Sequence, residues 1–145
     1  MNHDTHSNKR LVESLYYDCL NTGRLDRLND LIHDEFVGSR GERGPTGFSQ
    51  TVANVRSGFP DIRFVLEDVI AERDRVVARW KMEGTHRGPF AGFPPSNKQV
   101  QQSAIVIYQI KDDKIARAWL QPDSLGLLQQ IGALPDLAVQ PPKAS

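Results

Sequence analysis

The order of elements along the chain predicts an α+β fold, with helices first and a four-stranded antiparallel meander after them. Two observations carry this. Apolar residues recur at helical spacing as far as Phe59 and at strand spacing from Ile62 onward. The strand-like runs are also separated by stretches of turn-forming residues such as AERDR and KDDK.

The helical part begins at KRLVESLYYDCLNTGRLDRLNDLIHDEF. Leu11, Leu15, Cys19 and Leu20 mark a first helix, and Asn21-Thr22-Gly23 stops it, because glycine accepts the left-handed cap conformation. Leu25, Leu28, Leu31 and Ile32 predict a second amphipathic helix that ends on Phe36. GSRGERGPTG reads as a loop. GFSQTVANVRSGF is a third helix, with Phe48, Val52, Val55 and Phe59 facing inward and Pro60 closing it.

In the first strand Ile62, Phe64 and Leu66 alternate with Arg63, Val65 and Glu67. In the second, Val76, Ala78, Trp80 and Met82 share one face and Val77, Arg79, Lys81 and Glu83 the other. GTHRGPFAGFPPSNK is a long connection. QVQQSAIVIYQI is apolar on both faces, which predicts a central strand or an interface. IARAWLQ is the fourth strand, and a short helix follows from Ser124. The expected organisation is a polar leader over residues 1–8, one domain over 9–132 and a proline-rich tail over 133–145.

The bulk numbers bound the function. A chain of 145 residues fits one core. Eighteen basic residues balance eighteen acidic ones, so there is no electrostatic footprint for nucleic acid. Cys19 is the one cysteine, which rules out an internal disulfide and suits a cytoplasmic location. No apolar run reaches membrane-spanning length, and the first ten residues lack a signal-peptide core. The four histidines have no paired carboxylate or cysteine at metal-ligand spacing.

The segment from Phe59 to Val100, FPDIRFVLEDVIAERDRVVARWKMEGTHRGPFAGFPPSNKQV, resembles the core signature of the SnoaL-like polyketide cyclases, members of the nuclear transport factor 2-like superfamily. The matching pieces are FPD, DRVVARW, GTHRGPFAGFPPSNK and a closing tryptophan followed by DSLGLLQQIG. Together they are specific for the family and span residues 9–132. The resemblance implies a conical α+β barrel: a curved four-stranded sheet and three N-terminal helices enclosing an apolar cavity. It implies a homodimer through the sheet and a small polyketide-derived substrate, with no metal, flavin or nicotinamide in the barrel. It places an acid/base aspartate at Asp123. The family's strand glutamine and histidine fall at Ala104 and Val106, a departure that points to a more apolar pocket.

The candidate site residues each carry two readings. Strand parity puts Trp119, Gln121 and Asp123 on one face if Pro122 preserves the alternation. Asp123 is then a carboxyl at a cavity wall, suited to proton transfer. It is equally a preferred N-cap for the following helix. His86 is a hydrogen-bond donor to substrate or a turn histidine between glycines. Trp80 and Trp119 form a stacking wall or ordinary core. Tyr16 reaches the cavity or the helix surface. Phe90 and Phe93 are a lid over an apolar ligand or a plug. Phe48 and Phe59 belong to the core and, with Gln121, Ala104 and Val106, to the candidate lining.

The function expected from this set is cofactor-independent ring closure of a mostly apolar polyketide intermediate in antibiotic biosynthesis. Asp123 assists as acid/base and His86 as auxiliary donor, and the pocket holds the chain in a reactive conformation, by an aldol or a cycloaddition route. The alternatives are cofactor-free hydroxylation of an aromatic polyketide and a non-catalytic small-molecule-binding barrel.

Overall fold

The computed structural model describes residues 4–134, so the tail expectation falls, apart from its first two residues, outside the described residues. Helix α1 runs over Thr5–Ser14 and continues as a π-helical segment, Leu15–Leu20. It begins inside the stretch assigned to the polar leader, because the Asp4 carboxylate accepts the Ser7 N–H at 3.0 Å and caps it. The expected stop is present: Gly23 adopts φ +74°.

The second predicted helix is mostly absent. A 3-10 turn over Leu25–Arg27 and the single-turn α2, Leu28–Leu31, lead straight into strand β1, Ile32–Val37. β1 pairs in parallel with β5, Ile32 lying opposite Ile115. Helix α3 covers Gly44–Gly58, with Pro45 in its first turn where no amide partner is lost. Strands β2 (Arg63–Glu72), β3 (Arg75–Thr85), β4 (Gln99–Lys111) and β5 (Lys114–Pro122) form the predicted meander, and α4 follows over Ser124–Gln130.

The sheet therefore has five strands, in the order β1-β5-β4-β3-β2, instead of the four expected. It is curved and unclosed. β4 is central, as its two-faced apolar pattern predicts. Register shifts near Leu66 in β2 and at Gln109–Ile110 in β4 mark irregularities of the kind that bend and twist a sheet. The KDDK turn is tight, with Asp112 and Asp113 both at positive φ. The free edge of β2 is covered by the end of the first helix. The Asn21 side chain accepts the Phe64 N–H at 2.6 Å and donates to the Phe64 carbonyl at 2.9 Å, and the Tyr17 hydroxyl accepts the Leu66 N–H.

Helices α1 and α3 lie on the inner face. The core there takes Val12, Leu15, Tyr16 and Cys19 from the first helix, and Val76, Ala78, Trp80 and Met82 from β3, as parity predicts. β4 contributes Val100, Ala104, Val106 and Tyr108. α4 is fixed along β4 by one side chain. The Gln130 amide accepts the Gln101 N–H at 2.8 Å and donates to the Gln101 carbonyl at 2.7 Å, as a neighbouring strand would. Among the described residues no helix is long and apolar enough to cross a membrane.

Candidate active site

The sheet register sorts the predicted residues between two faces. Trp80 pairs with Ala104 and Ala78 with Val106, so Trp80, Ala104 and Val106 line the inner wall together. Trp119 does not join them. It lies opposite Ile107 on the outer face, with the Arg75 and Arg117 guanidinium carbons each 4.9 Å from its ring centre. Gln121 shares that outer face opposite Ile105 and is exposed. The expected wall of two tryptophans is thus corrected. Trp119 and Gln121 do share a parity, but it is the parity that points away from the core.

Asp123 leaves the strand at Pro122. Its amide N–H donates to the Ser103 carbonyl at 2.9 Å, and its carboxylate Oδ1 accepts the Gly126 N–H at 2.9 Å as the N-cap of α4. The side chain is exposed. A Cβ added at Gly126 would stand 2.3 Å from Asp123 Oδ2, so glycine at this position leaves room for the cap. The other oxygen, Oδ2, has no hydrogen-bond partner among the described residues. The preceding Pro122 lies opposite Ala104 of the inner face.

His86 is fully buried beyond the end of β3. The Ser96 N–H donates to its Nδ1 at 3.1 Å, and the Ser96 hydroxyl lies 2.9 Å away. Its backbone N–H donates to the Lys98 carbonyl, and its carbonyl accepts the Asn97 N–H at 2.8 Å. A backbone N–H is always a donor, so Nδ1 is the acceptor and the neutral ring carries its proton on Nε2. That Nε2 is buried without a partner. Phe59 stacks on the ring at 5.5 Å, and Phe90 packs edge-on against Phe59 at 5.1 Å.

Phe90 and Phe93 exchange backbone hydrogen bonds across Ala91 and Gly92, both at positive φ, which is a two-residue hairpin turn. Phe90 is half-buried against the core and Phe93 is exposed. Phe48 is half-buried against Phe36 at 5.4 Å, away from His86.

Asp123 and His86 are not adjacent. Asp123 is bonded at Ser103, whereas Thr85, next to His86, pairs with Gln99. Four residues of strand separate these levels, roughly 13 Å.

Tyr16 meets the interior. Its hydroxyl lies 2.5 Å from the hydroxyl of Tyr108, and both rings are buried. Trp80 and Phe64 complete the cluster, their ring centres 6.4 and 5.4 Å from that of Tyr16. The Trp80 Nε1–H is buried and makes no hydrogen bond of normal geometry, although it points close enough to Tyr16 to act on its hydroxyl. Burial raises both phenols, Tyr16 well above its ordinary value, where the neighbouring Tyr108 adds to the rise and the Trp80 indole opposes it. These side chains line the inner face of the sheet. Two surface depressions, of about 380 and 200 Å³, lie elsewhere, one bordered by Ser7, Leu11 and Asp113 and the other by Leu25, Pro45 and Ser49.

Tyr108 and Asp61 are the residues sequence reasoning passed over. Tyr108 shares the parity of Ala104 and Val106 and was legible on that ground. Asp61 of the FPD motif accepts the Thr85 N–H and hydroxyl, both at 2.7 Å, and these bonds lower its pKa. Among the described residues no three His, Cys, Asp or Glu side chains gather as a metal site requires.

Comparison with known proteins agrees with this architecture. The SnoaL-like polyketide cyclase model matches residues 10–131. The nogalonic acid methyl ester cyclase of Streptomyces nogalater is 32% identical over 77% of this chain and 88% of its own. The aklanonic acid methyl ester cyclase AcmA of Streptomyces galilaeus is 32% identical over 86% of this chain and 87% of its own. The structure of TsrD from Streptomyces laurentii superposes with a TM-score of 0.82 at 31% identity, covering 92% of this chain and all of that one. From the signature segment, the five-stranded sheet with its packed inner face and these matches together, the chain belongs to the SnoaL-like polyketide cyclase family.

Proposed function

We propose that this protein is a cytoplasmic, cofactor-independent enzyme of antibiotic biosynthesis that closes a ring of a mostly apolar, uncharged polyketide intermediate. The observation that carries the reading is the character of the buried residues. Among those described, the buried polar side chains are Asn8, Thr85 and His86, and no lysine, arginine or carboxylate is buried with them. A free carboxylate brought inside would have no counter-charge, which is costly, whereas a neutral ester would meet neutral donors. The methyl esters in the names of both cyclase relatives fit the same preference.

Asp123 is the proposed acid/base. Its free Oδ2 takes a proton from a carbon flanked by carbonyl groups, the resulting enolate carbon bonds to a second carbonyl carbon, and the proton passes to the new alkoxide. The sum is an isomerisation that consumes no oxygen, which separates it from hydroxylation. His86, through Nε2–H, is the proposed auxiliary donor. The small inner-wall residues Ala104 and Val106 support a pocket that acts largely by holding the chain folded.

Asp123→Asn tests the assignment cleanly, because asparagine caps helices as well as aspartate does. Thermal stability is expected to stay near that of the parent while cyclisation of nogalonic or aklanonic acid methyl ester falls about a hundredfold or more. Undiminished turnover would remove Asp123 from the mechanism.

We further propose a homodimer through the outer face of the sheet. Ile70, Val77, Ile107 and Trp119 stand in one register row across β2, β3, β4 and β5, with Ile70 62% and Ile107 37% exposed. Such a stripe supports an interface because isolated apolar residues need no partner but a continuous row does.

A further inference from the structure

Three hydrogen-bond donors converge in the aromatic cluster of the inner face: the hydroxyls of Tyr16 and Tyr108 and the indole N–H of Trp80. The two hydroxyls are 2.5 Å apart, so one donates to the other and one O–H is left over. The Trp80 N–H is a second donor that makes no hydrogen bond of normal geometry, although it stands close enough to the Tyr16 hydroxyl to favour its ionised form. A buried donor left unmade is destabilising, and a purely structural core avoids it by placing phenylalanine or leucine at such positions. Here two spare donors are held together beside Phe64, above a floor of the small side chains Ala78, Ala104 and Val106. No buried cation accompanies them.

The local backbone supports a dedicated placement. Tyr16 sits in the π-helical segment Leu15–Leu20, a rare geometry that recurs at functional sites. The widened turn buries Leu15 and Tyr16 together with Cys19 and Leu20, and carries the Tyr16 hydroxyl across to β4.

We propose that Tyr16, Tyr108 and Trp80 form a binding site for a single oxygen of the ligand, a carbonyl that gains enolate character during reaction. The occupant displaces none of the hydrogen bonds that hold the fold. It accepts the left-over O–H and the Trp80 N–H. Both phenols stay protonated well above neutral pH because burial disfavours their charged forms, so they remain donors throughout the working range. Neutral donors aimed at developing negative charge are the arrangement that stabilises an oxyanion. The identity of the oxygen as a reacting carbonyl rests on the cyclase reading, whereas the preference for an oxygen acceptor does not.

The test pairs two probes of equal shape, 4-methylphenol and 1,4-dimethylbenzene, of which only the phenol carries an oxygen, titrated into the full chain. The phenol is expected to bind on the order of tenfold more tightly, the worth of one hydrogen bond or slightly more. The Trp80 indole N–H resonance, assigned by its persistence in Trp119→Phe, is expected to shift with the phenol. Tyr16→Phe and Tyr108→Phe are expected to abolish the preference while near-ultraviolet circular dichroism confirms packing. Equal affinity for the two probes, binding of neither at millimolar concentration, or an unmoved Trp80 resonance overturns the site, and these readings need only side chains on the inner face left intact. A lost preference with cyclisation retained in the parent condemns the oxygen site alone. A retained preference with no cyclisation condemns the cyclase reading alone.

Discussion

At the scale of single residues, the signature motifs are mostly devices that hold the chain around the site. Gly88 lies where the loop after β3 crosses the end of α3, and both Arg87 and Gly88 donate their N–H to the Gly58 carbonyl. A Cβ at Gly88 would stand 2.0 Å from the Ser57 carbonyl oxygen, and that oxygen is backbone. Gly88→Ala is therefore expected to cost about 3 kcal/mol, seen as a lower urea midpoint with an unchanged slope. Asp61 does its work through Thr85. Its folded pKa lies below the ordinary carboxyl value, so on acidification the unfolded chain takes up the proton first. The stability that Asp61 supplies is present above about pH 4 and is lost as pH falls through the lower folded value. Asp61→Asn is expected to flatten the fall in urea midpoint below that pH. An equally steep acid limb in the variant would reject the assignment.

The elements show where local pattern misleads. Ile32 and Phe36 are buried four residues apart with three less buried residues between them, which is helical spacing. The segment is nonetheless a strand. A register shift within β1 breaks its alternation, and pairing with β5, about eighty residues away in sequence, supplies its hydrogen bonds. The first helix and β4 together give the fold a dependence on alkaline pH. Tyr16 and Tyr108 have folded pKa values above the ordinary 10.0, so above about pH 10 the unfolded chain loses protons that the folded one keeps. The stability these phenols supply is complete below that pH and disappears as pH rises through the folded values. Phenolate absorbance is expected to show at most one of the three tyrosines ionising before the protein unfolds. Full ionisation with native circular dichroism would contradict their burial.

For the whole molecule, the outer stripe gives the prediction. Ile107→Glu puts a charge at the centre of the row of Ile70, Val77 and Trp119, and light scattering is expected to change from the mass of two chains to that of one. A monomeric parent at micromolar concentration would dispose of the dimer. The sequence by itself determined the α+β class, the four-strand meander, the inner row of β3 and the family, because these depend on periodicity, turn chemistry and motifs that are local. It left Asp123 between a cap and an acid, and the structure shows the cap. Only the tertiary structure decided that β1 is a fifth strand and that Trp119 faces outward. It alone joined Tyr16 to Tyr108, whose hydroxyls are 92 residues apart in the chain. Such contacts are made by long-range register and by bulges that change parity, and neither leaves a mark in the spacing of residues along one segment.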